Sequence, residues 1–327
     1  MHYTLPEHFS IRRPSLDDVK ALFALLNICE LAEFGNIRTS ETELRNLWEL
    51  PGHDLTQDAW LVIAPGEQIV AFAFVVHLAP VSRLFDDINV HPAYADQGLY
   101  DYLLELTLER ARQLVSTAEA HVRVSVGVTC AEKNAVLHAA AERAGFKHVR
   151  SNWLMQIDMD APPPTPVWPA EIELRPYTPE LLRAIYDADN DAFQDHWGHV
   201  PFVFEVWQHW TVKREDFDPS LWFLAFAGEE IAGFALCAYE NGEAWVGELG
   251  VRRPWRQKGL GLAFLYQAFG EFYRRGVRKV VLNVDSQNLT GATRLYIRAG
   301  MRAVQQGDIY ELELRPGLEL STQTLEK

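Results

Sequence analysis

Three cysteines in 327 residues are few. Cys29, Cys130 and Cys237 lie far apart, with no metal-ligand spacing and too few thiols for a disulfide framework. That pattern predicts a reducing, cytoplasmic setting and no metal site. Basic residues are scarce too: 30 Lys+Arg stand against 45 Asp+Glu, a net charge of −15. A nucleic-acid surface needs a basic face, so nucleic acid is not expected as a partner. No apolar run approaches the ~18 residues of a membrane span. The first ten residues, MHYTLPEHFS, lack the basic-then-apolar order of a signal peptide. No membrane partner is therefore expected either.

What remains is the balance of a soluble globular protein, with 48% hydrophobic and 23% charged residues. The length suits two domains. The clearest division is the segment Ala161–Pro169, APPPTPVWP. Prolines at that density cannot form helix or central strand, because each lacks a backbone N–H. The reading is domain one over 1–160, a proline-rich linker over 161–171, and domain two over 172–327.

The halves match landmark by landmark. Each begins with an Arg-Pro segment and a helical pattern. Each continues with a hairpin of apolar strands, AWLVIAPGEQIVAFAFVV in one and LWFLAFAGEEIAGFALCAY in the other. A strand, a glycine and a long amphipathic helix follow, Gly98 matching Gly259. A second helix then ends at Arg-Ala-Gly in both, Gly145 matching Gly300. A last strand is expected to close each half. A repeat this long means a duplicated domain.

The chemistry concentrates in VRRPWRQKGLGL, Val251 to Leu262. It lies between a predicted strand and a predicted helix. Gly259 and Gly261 permit close backbone approach, and a helix start offers unpaired N–H groups and partial positive charge. Arg252, Arg253, Arg256 and Lys258 add cations to an otherwise acidic chain. Together these features describe an anion site of the kind that holds phosphate. It is not a Walker loop, since no Lys-Ser/Thr follows the last glycine. An exposed basic turn with a glycine cap is the bland alternative.

The order strand, R-x-x-G-x-G (Arg256 to Gly261), helix, strand, then Asn288-x3-Ala292-x2-Leu295-Tyr296-x3-Gly300 resembles the GNAT superfamily of acyl-CoA-dependent N-acetyltransferases. The likeness covers 172–316 and, more weakly, 9–160. The tandem layout is also similar to that of the mycothiol synthase family. The resemblance implies an α/β (α+β) chain of two tandem GNAT-like domains, each a mixed, mostly antiparallel sheet flanked by helices. It implies acetyl-CoA as co-substrate and a small-molecule primary amine as acceptor, in a monomer or homodimer. The amides of Gln257, Lys258, Gly259, Leu260, Gly261 and Leu262 would cradle the pyrophosphate. The strand edge at Leu249, Gly250 and Val251 would pair with the pantetheine arm, which Asn288 would also contact. Tyr296 would stand near the thioester sulfur.

A phenol of pKa ~10 is a competent acid for a departing thiolate, so Tyr296 is the candidate general acid. A core tyrosine is its alternative. The base is a strand carboxylate, Glu248 first and Glu243 second; alternation puts the two on opposite faces. Several relatives carry their glutamate near the position of Trp245. Asp191–Trp197, Trp207, Trp210 and Trp222 are the candidate acceptor lining, with His196 as base or mere polar neighbour. In the first half Ala95 stands for Arg256, Tyr100 for Gly261 and Ala141 for Tyr296. Asp96 adds a negative charge, while Gly98 and Asn134 survive. The first half is therefore expected to keep the fold with a degenerate site. The rival reading is a non-catalytic acyl-CoA-binding or sensing protein.

Overall fold

A computed structural model describes residues 3–240, 242–288 and 290–324. The elements in chain order begin with β1 (Ser10–Arg12), α1 (Val19–Phe34), α2 (Glu41–Trp48), α3 (Leu55–Asp58), β2 (Ala59–Ala64), β3 (Gln68–His77) and β4 (Arg83–Val90). Next come α4 (Leu99–Leu114), β5 (Val124–Ala131), α5 (Ala135–Arg143) and β6 (Lys147–Asp158). After the proline-rich segment, which carries no helix or strand, follow β7 (Ile172–Arg175), α6 (Leu182–Phe193), α7 (Phe204–Trp210), β8 (Trp222–Ala227) and β9 (Glu230–Glu240). The chain ends with β10 (Glu243–Val251), α8 (Leu260–Arg274), β11 (Lys279–Asp285), α9 (Ala292–Arg298) and β12 (Arg302–Arg315). Among the described residues no helix is long and apolar enough to cross a membrane.

Two compact units form, and they are not the sequence halves. The first is 1–151 with 208–210 and 307–320; the second is 152–207 with 211–306 and 321–327. The first unit's sheet runs β1-β2-β3-β4-β5-β12, with β12 antiparallel to β5 from Gly307↔Ala131 to Arg315↔Val124. The second runs β6-β11-β10-β9-β8-β7, with β6 antiparallel to β11 from Asn152↔Asp285 to Asp158↔Lys279. Each sheet is thus completed by the last strand of the other half. This corrects the boundaries at 160 and 172 and the expectation that each half closes itself. The physical reason is that an alternating strand specifies which face it buries, not which open edge it joins. The proline-rich segment is tied to the second unit at one end, where Trp168 packs edge-on against Phe264 at 4.9 Å.

Between the named strands of each unit the pairing is antiparallel except at one place, β4–β5 in the first and β10–β11 in the second. Helices cover both faces. In the second unit α8 buries Leu260, Phe264, Ala268 and Phe272 at spacings of four, one stripe of a helix. That stripe packs on Ala235, Cys237, Ala244 and Val280 of the sheet. Each buried phenylalanine contributes about 1.5–3 kcal/mol of transfer free energy. The opposite face carries Ile185 and Ala188 of α6 and Trp207 of α7 over Leu224, Phe234 and Leu236.

Candidate active site

The site is made by two strands parting. β10 pairs with β11 only at Ala244↔Val280 and Trp245↔Val281, although both continue further. On its other side β10 carries a bulge, where the register jumps from Val246↔Cys237 to Glu248↔Leu236 and leaves Gly247 as the extra residue. A bulge bends its strand and increases its twist, and β10 leaves β11 here. The slot that opens is lined by Glu248 to Val251 on one side and Leu282 to Val284 on the other. It belongs to a cleft of about 840 Å³ that also takes in Gly259, Gly261, Asn288, Tyr296, His196 and Asp189.

The bulge corrects the alternation argument. Glu248 is opposite Leu236 and Glu243 is opposite position 240, an even separation, so the two glutamates share a face. They do not share the cleft. Glu243 is buried and held by the Lys279 ammonium, outside the lining. Glu248 lines the cleft, and its buried Oε2 has no hydrogen-bond partner among the described residues. Gly250 is obligatory for another reason: a Cβ there would collide with the Phe234 ring and with Ala192 Cβ at 2.9 Å.

At the turn, Gln257 has φ +62° and Gly259 φ +90°. Such left-handed residues fold successive amides into a concave nest that favours anions. The first amide of the helix with a backbone acceptor is that of Ala263, which donates to Gly259 O at 3.1 Å. The amides ahead of it are the orphan donors every helix start leaves. The turn and cleft residues thus fit a phosphate-bearing ligand. Gly261 keeps α8 close to α9, since a Cβ would meet Leu295 Cδ2 at 2.8 Å.

The basic side chains differ from expectation. Arg256 turns inward: Nη1 meets Asp195 Oδ2 at 2.5 Å, Nε donates to Val251 O at 3.0 Å and Nη2 to Ala192 O at 3.0 Å. Arg253 also meets Asp195, and Arg252 meets Asp191, both at 2.5 Å. Arg253 and Arg256 hold the Asp195 carboxyl down at about 2. These arginines tie the turn to α6 and the loop after it; Lys258 is exposed and makes no ion pair among the described residues. This corrects the expected acceptor lining Asp191–Trp197: Ala192, Phe193 and His196 line the cleft, whereas Asp191 and Asp195 lie outside it and are paired with the arginines, because a carboxylate beside a guanidinium is held by it.

Asn288 caps the start of the last helix of the site, its Oδ1 accepting from Thr290 N at 2.9 Å and Ala292 N at 3.0 Å. Its Nδ2 lies 3.5 Å from His196 Nε2. Burial lowers the His196 and His199 pKa values, so both imidazoles are held neutral. Tyr296 is 8% exposed and lines the cleft. Burial pushes its phenol up to about 12, which keeps the proton on until a strong base such as a thiolate appears. Trp207 lines the cleft, whereas Trp222 packs in the core against Tyr177 at 5.2 Å, and Trp210 is outside the lining. Asp189 was not foreseen. It sits on α6 inside an acidic run, DADND, that reads as a solvated helix face, yet it is 7% exposed. Among the described residues no group of His, Cys, Asp or Glu side chains is arranged to hold a metal ion.

A GCN5-related N-acetyltransferase from Sphaerobacter thermophilus is 37% identical, with a TM-score of 0.82 over 98% of this chain and 100% of that one. The chain belongs to the GCN5-related N-acetyltransferase (GNAT) family. The family model described as Acetyltransferase (GNAT) family matches residues 182–301, the segment that carries the cleft. A protein named mycothiol acetyltransferase from Streptomyces scabiei is 28% identical over 77% of this chain and 79% of its own length. A tandem GNAT protein of the clavulanic acid biosynthesis pathway shares the fold at 15% identity, with a TM-score of 0.73 over 94% of this chain and 99% of that one. Two GNAT-like units, each with a mostly antiparallel sheet between helices, are the architecture of this GNAT acetyltransferase.

Proposed function

We propose that the second unit moves an acetyl group from acetyl-CoA to the primary amine of a small molecule by direct attack on the thioester. One observation carries this reading: the parted strands bring Glu248, Tyr296 and the amide nest at Gln257–Leu262 into a single cleft. The nest would hold the pyrophosphate, and the free edge of β10 at Leu249–Val251 would pair with the pantetheine amides as a neighbouring strand would. Asn288 Nδ2 would donate to the same arm. Glu248 is the base that delivers the amine uncharged, and Tyr296 donates its proton to the departing thiolate. The relatives named mycothiol acetyltransferase favour an amine on a polar thiol-bearing acceptor.

The test is release of free CoA from acetyl-CoA with a panel of amines, read by mass spectrometry of the acetylated product. Turnover of at least one primary amine, lost in Tyr296→Phe, is expected. Tight acetyl-CoA binding without turnover of any amine would leave the acyl-CoA-sensing reading in its place.

A further inference from the structure

The acceptor end of the cleft holds an unusual pair. Asp189 on α6 and Glu248 on β10 approach from two elements, and their carboxyls are within hydrogen-bonding reach of each other. Asp189 Oδ1 and Glu248 Oε2 are buried and receive no hydrogen bond from a donor among the described residues, and the buried Trp207 indole stands beside Asp189. Asp189 is 7% and Trp207 2% exposed, and all three residues line the cleft. Orphaned buried polar atoms are costly, on the order of 1–3 kcal/mol each and more for charged groups. Two such acceptor oxygens lining one cavity mark a place built for a ligand with donors. The other titratable groups of the lining do not supply a counter-charge. His196 and His199 are held neutral, Tyr296 keeps its proton, and Arg256 is already taken by Asp195. Arg298, the remaining cation of the lining, is exposed and makes no ion pair with either carboxyl.

We infer that Asp189 and Glu248 work as one unit: Asp189 carries the negative charge that draws a primary ammonium group into the cleft, and Glu248 relays the ammonium's proton to it. The inference rests on the amine-acetyltransferase reading and names the group that selects the acceptor. Two carboxyls this close cannot both ionise, so the pair holds one proton and one charge. Burial, then the Asp189 charge, raises Glu248 well above the usual carboxylate range, whereas Asp189 rises only to about 6, burial being opposed by Glu248 and the Trp207 indole. The Trp207 indole N–H beside Asp189 favours the charge there, which leaves the shared proton on Glu248. As the ammonium gives a proton to Glu248 Oε2, Glu248 passes its own to Asp189. The pair is then neutral and the amine is free to attack. The C–N bond forms and the C–S bond breaks, Tyr296 protonates the departing thiolate, the nitrogen's second proton passes through water to the Tyr296 phenolate, and the pair returns its extra proton to water. Asp189 is a positioning residue here, and Glu248 is the catalytic one.

The probe is n-hexylammonium against 1-hexanol, titrated into the full chain saturated with CoA and read by ligand-observed NMR. Wild type should prefer the ammonium by about 10-fold or more, as a charge-assisted bond predicts. The preference should fade as pH drops through about 6 and the pair becomes neutral. Asp189→Asn should lose the preference and its pH dependence while CoA still binds. Glu248→Gln should keep the preference and lose turnover. Equal binding of the two probes by wild type, or an Asp189→Asn variant with unchanged preference and pH profile, would overturn the inference. No probe requires acetyl transfer, so an ammonium-selective cleft without turnover would count against the reaction and leave the pair standing.

Discussion

The first unit builds from Gly98, Leu99 and Tyr100 the same helix start that the second builds from Gly259, Leu260 and Gly261. Both glycines are left-handed, at φ +76° and +90°. The difference is the third residue. Tyr100 is 2% exposed, and its hydroxyl accepts from Asn134 Nδ2 at 2.8 Å, while the same nitrogen meets Glu33 Oε1 at 2.5 Å. Asn134 is the counterpart of Asn288. In one unit the amide is consumed inside the protein, and in the other it faces a cleft. The strands differ in the same sense. β3 and β4 pair from Ala71↔Val90 to His77↔Leu84 without a bulge, and β4 stays with β5 as far as Asp86↔Val128. At the place of Glu248 the first unit has Asp87, whose carboxyl accepts from Asn89 at 2.8 Å. A duplicated fold thus loses its site by satisfying, one by one, the polar groups that a ligand would have satisfied.

The sharpest way to test that comparison is to transplant the plug. Gly261→Tyr should push Leu295 aside and fill the slot, so that acetyl-CoA binding falls below detection by calorimetry while the far-UV spectrum is kept. The reciprocal Tyr100→Gly should not create a site, since Ala95 and Asp96 still occupy the turn. It should instead destabilise the first unit by about 3–5 kcal/mol, the scale for truncating a buried aromatic, read as a lower urea midpoint. Acetyl-CoA binding gained by Tyr100→Gly would show that the plug alone separates the units.

Next in size is the acid. Ala141 stands where Tyr296 stands and is fully buried, so the first unit has no hydroxyl at that position. Tyr296→Phe keeps the ring and should lower the single-turnover rate by ~10²–10⁴-fold, with acetyl-CoA affinity unchanged. An unchanged single-turnover rate would make Tyr296 a packing residue.

Local chemistry explains why so much of this was readable in the chain. The turn at Arg256–Gly261, the hairpins and the helix ends at Gly145 and Gly300 are each written in a few adjacent residues, and so was the substitution of Tyr100 for Gly261. What escaped depends on partners distant in sequence. β6 and β12 carry the right alternation for a final strand, but alternation names no edge, so their exchange was invisible. The bulge needs only Gly247, and a strand glycine has many meanings. Because that bulge resets the faces, the relation of Glu243 to Glu248 was misread. Asp189 reads as a solvent-facing acid, and Asp195 as acceptor lining, until their neighbours on β10 and the turn are known. The exchange also bears on experiments: a cut at the proline-rich segment removes a strand from each unit, so comparisons are made in the full chain.

A smaller contrast concerns buried acids. Burial raises the first unit's Asp86 to about 7, with Thr107 Oγ1 donating to it at 2.8 Å and Oδ1 unpartnered. A carboxyl raised in the folded state binds its proton more tightly there than in the unfolded chain. Its effect on stability is therefore absent below the unfolded value near 4 and grows unfavourable as pH rises towards about 7. Asp86→Asn should stabilise the protein by on the order of 2 kcal/mol at pH 8 and by little at pH 4, read as urea midpoints at the two values. An equal gain at both would assign the effect to packing and not to charge.

The smallest expected effect is at the turn. Ala95 stands where Arg256 stands, so the first unit has no guanidinium joining its turn to its α1. Arg256 makes three such bonds, to Asp195, Val251 O and Ala192 O, in a fork that lysine cannot reproduce. If its work is to hold the amide nest in place, Arg256→Lys should cost about 1 kcal/mol, the net worth of a hydrogen bond or a partly exposed ion pair. Acetyl-CoA affinity should then fall about fivefold, with kcat at saturation kept, because the nest still forms but is less often in position. Calorimetry and saturation kinetics on the one variant separate the roles. A loss of several hundredfold would make Arg256 a direct phosphate ligand that swings away from Asp195 when acetyl-CoA arrives. No loss at all would mean that Gln257 and Gly259 shape the nest through their own left-handed backbone, and that the arginine clamp contributes only to the stability of the second unit.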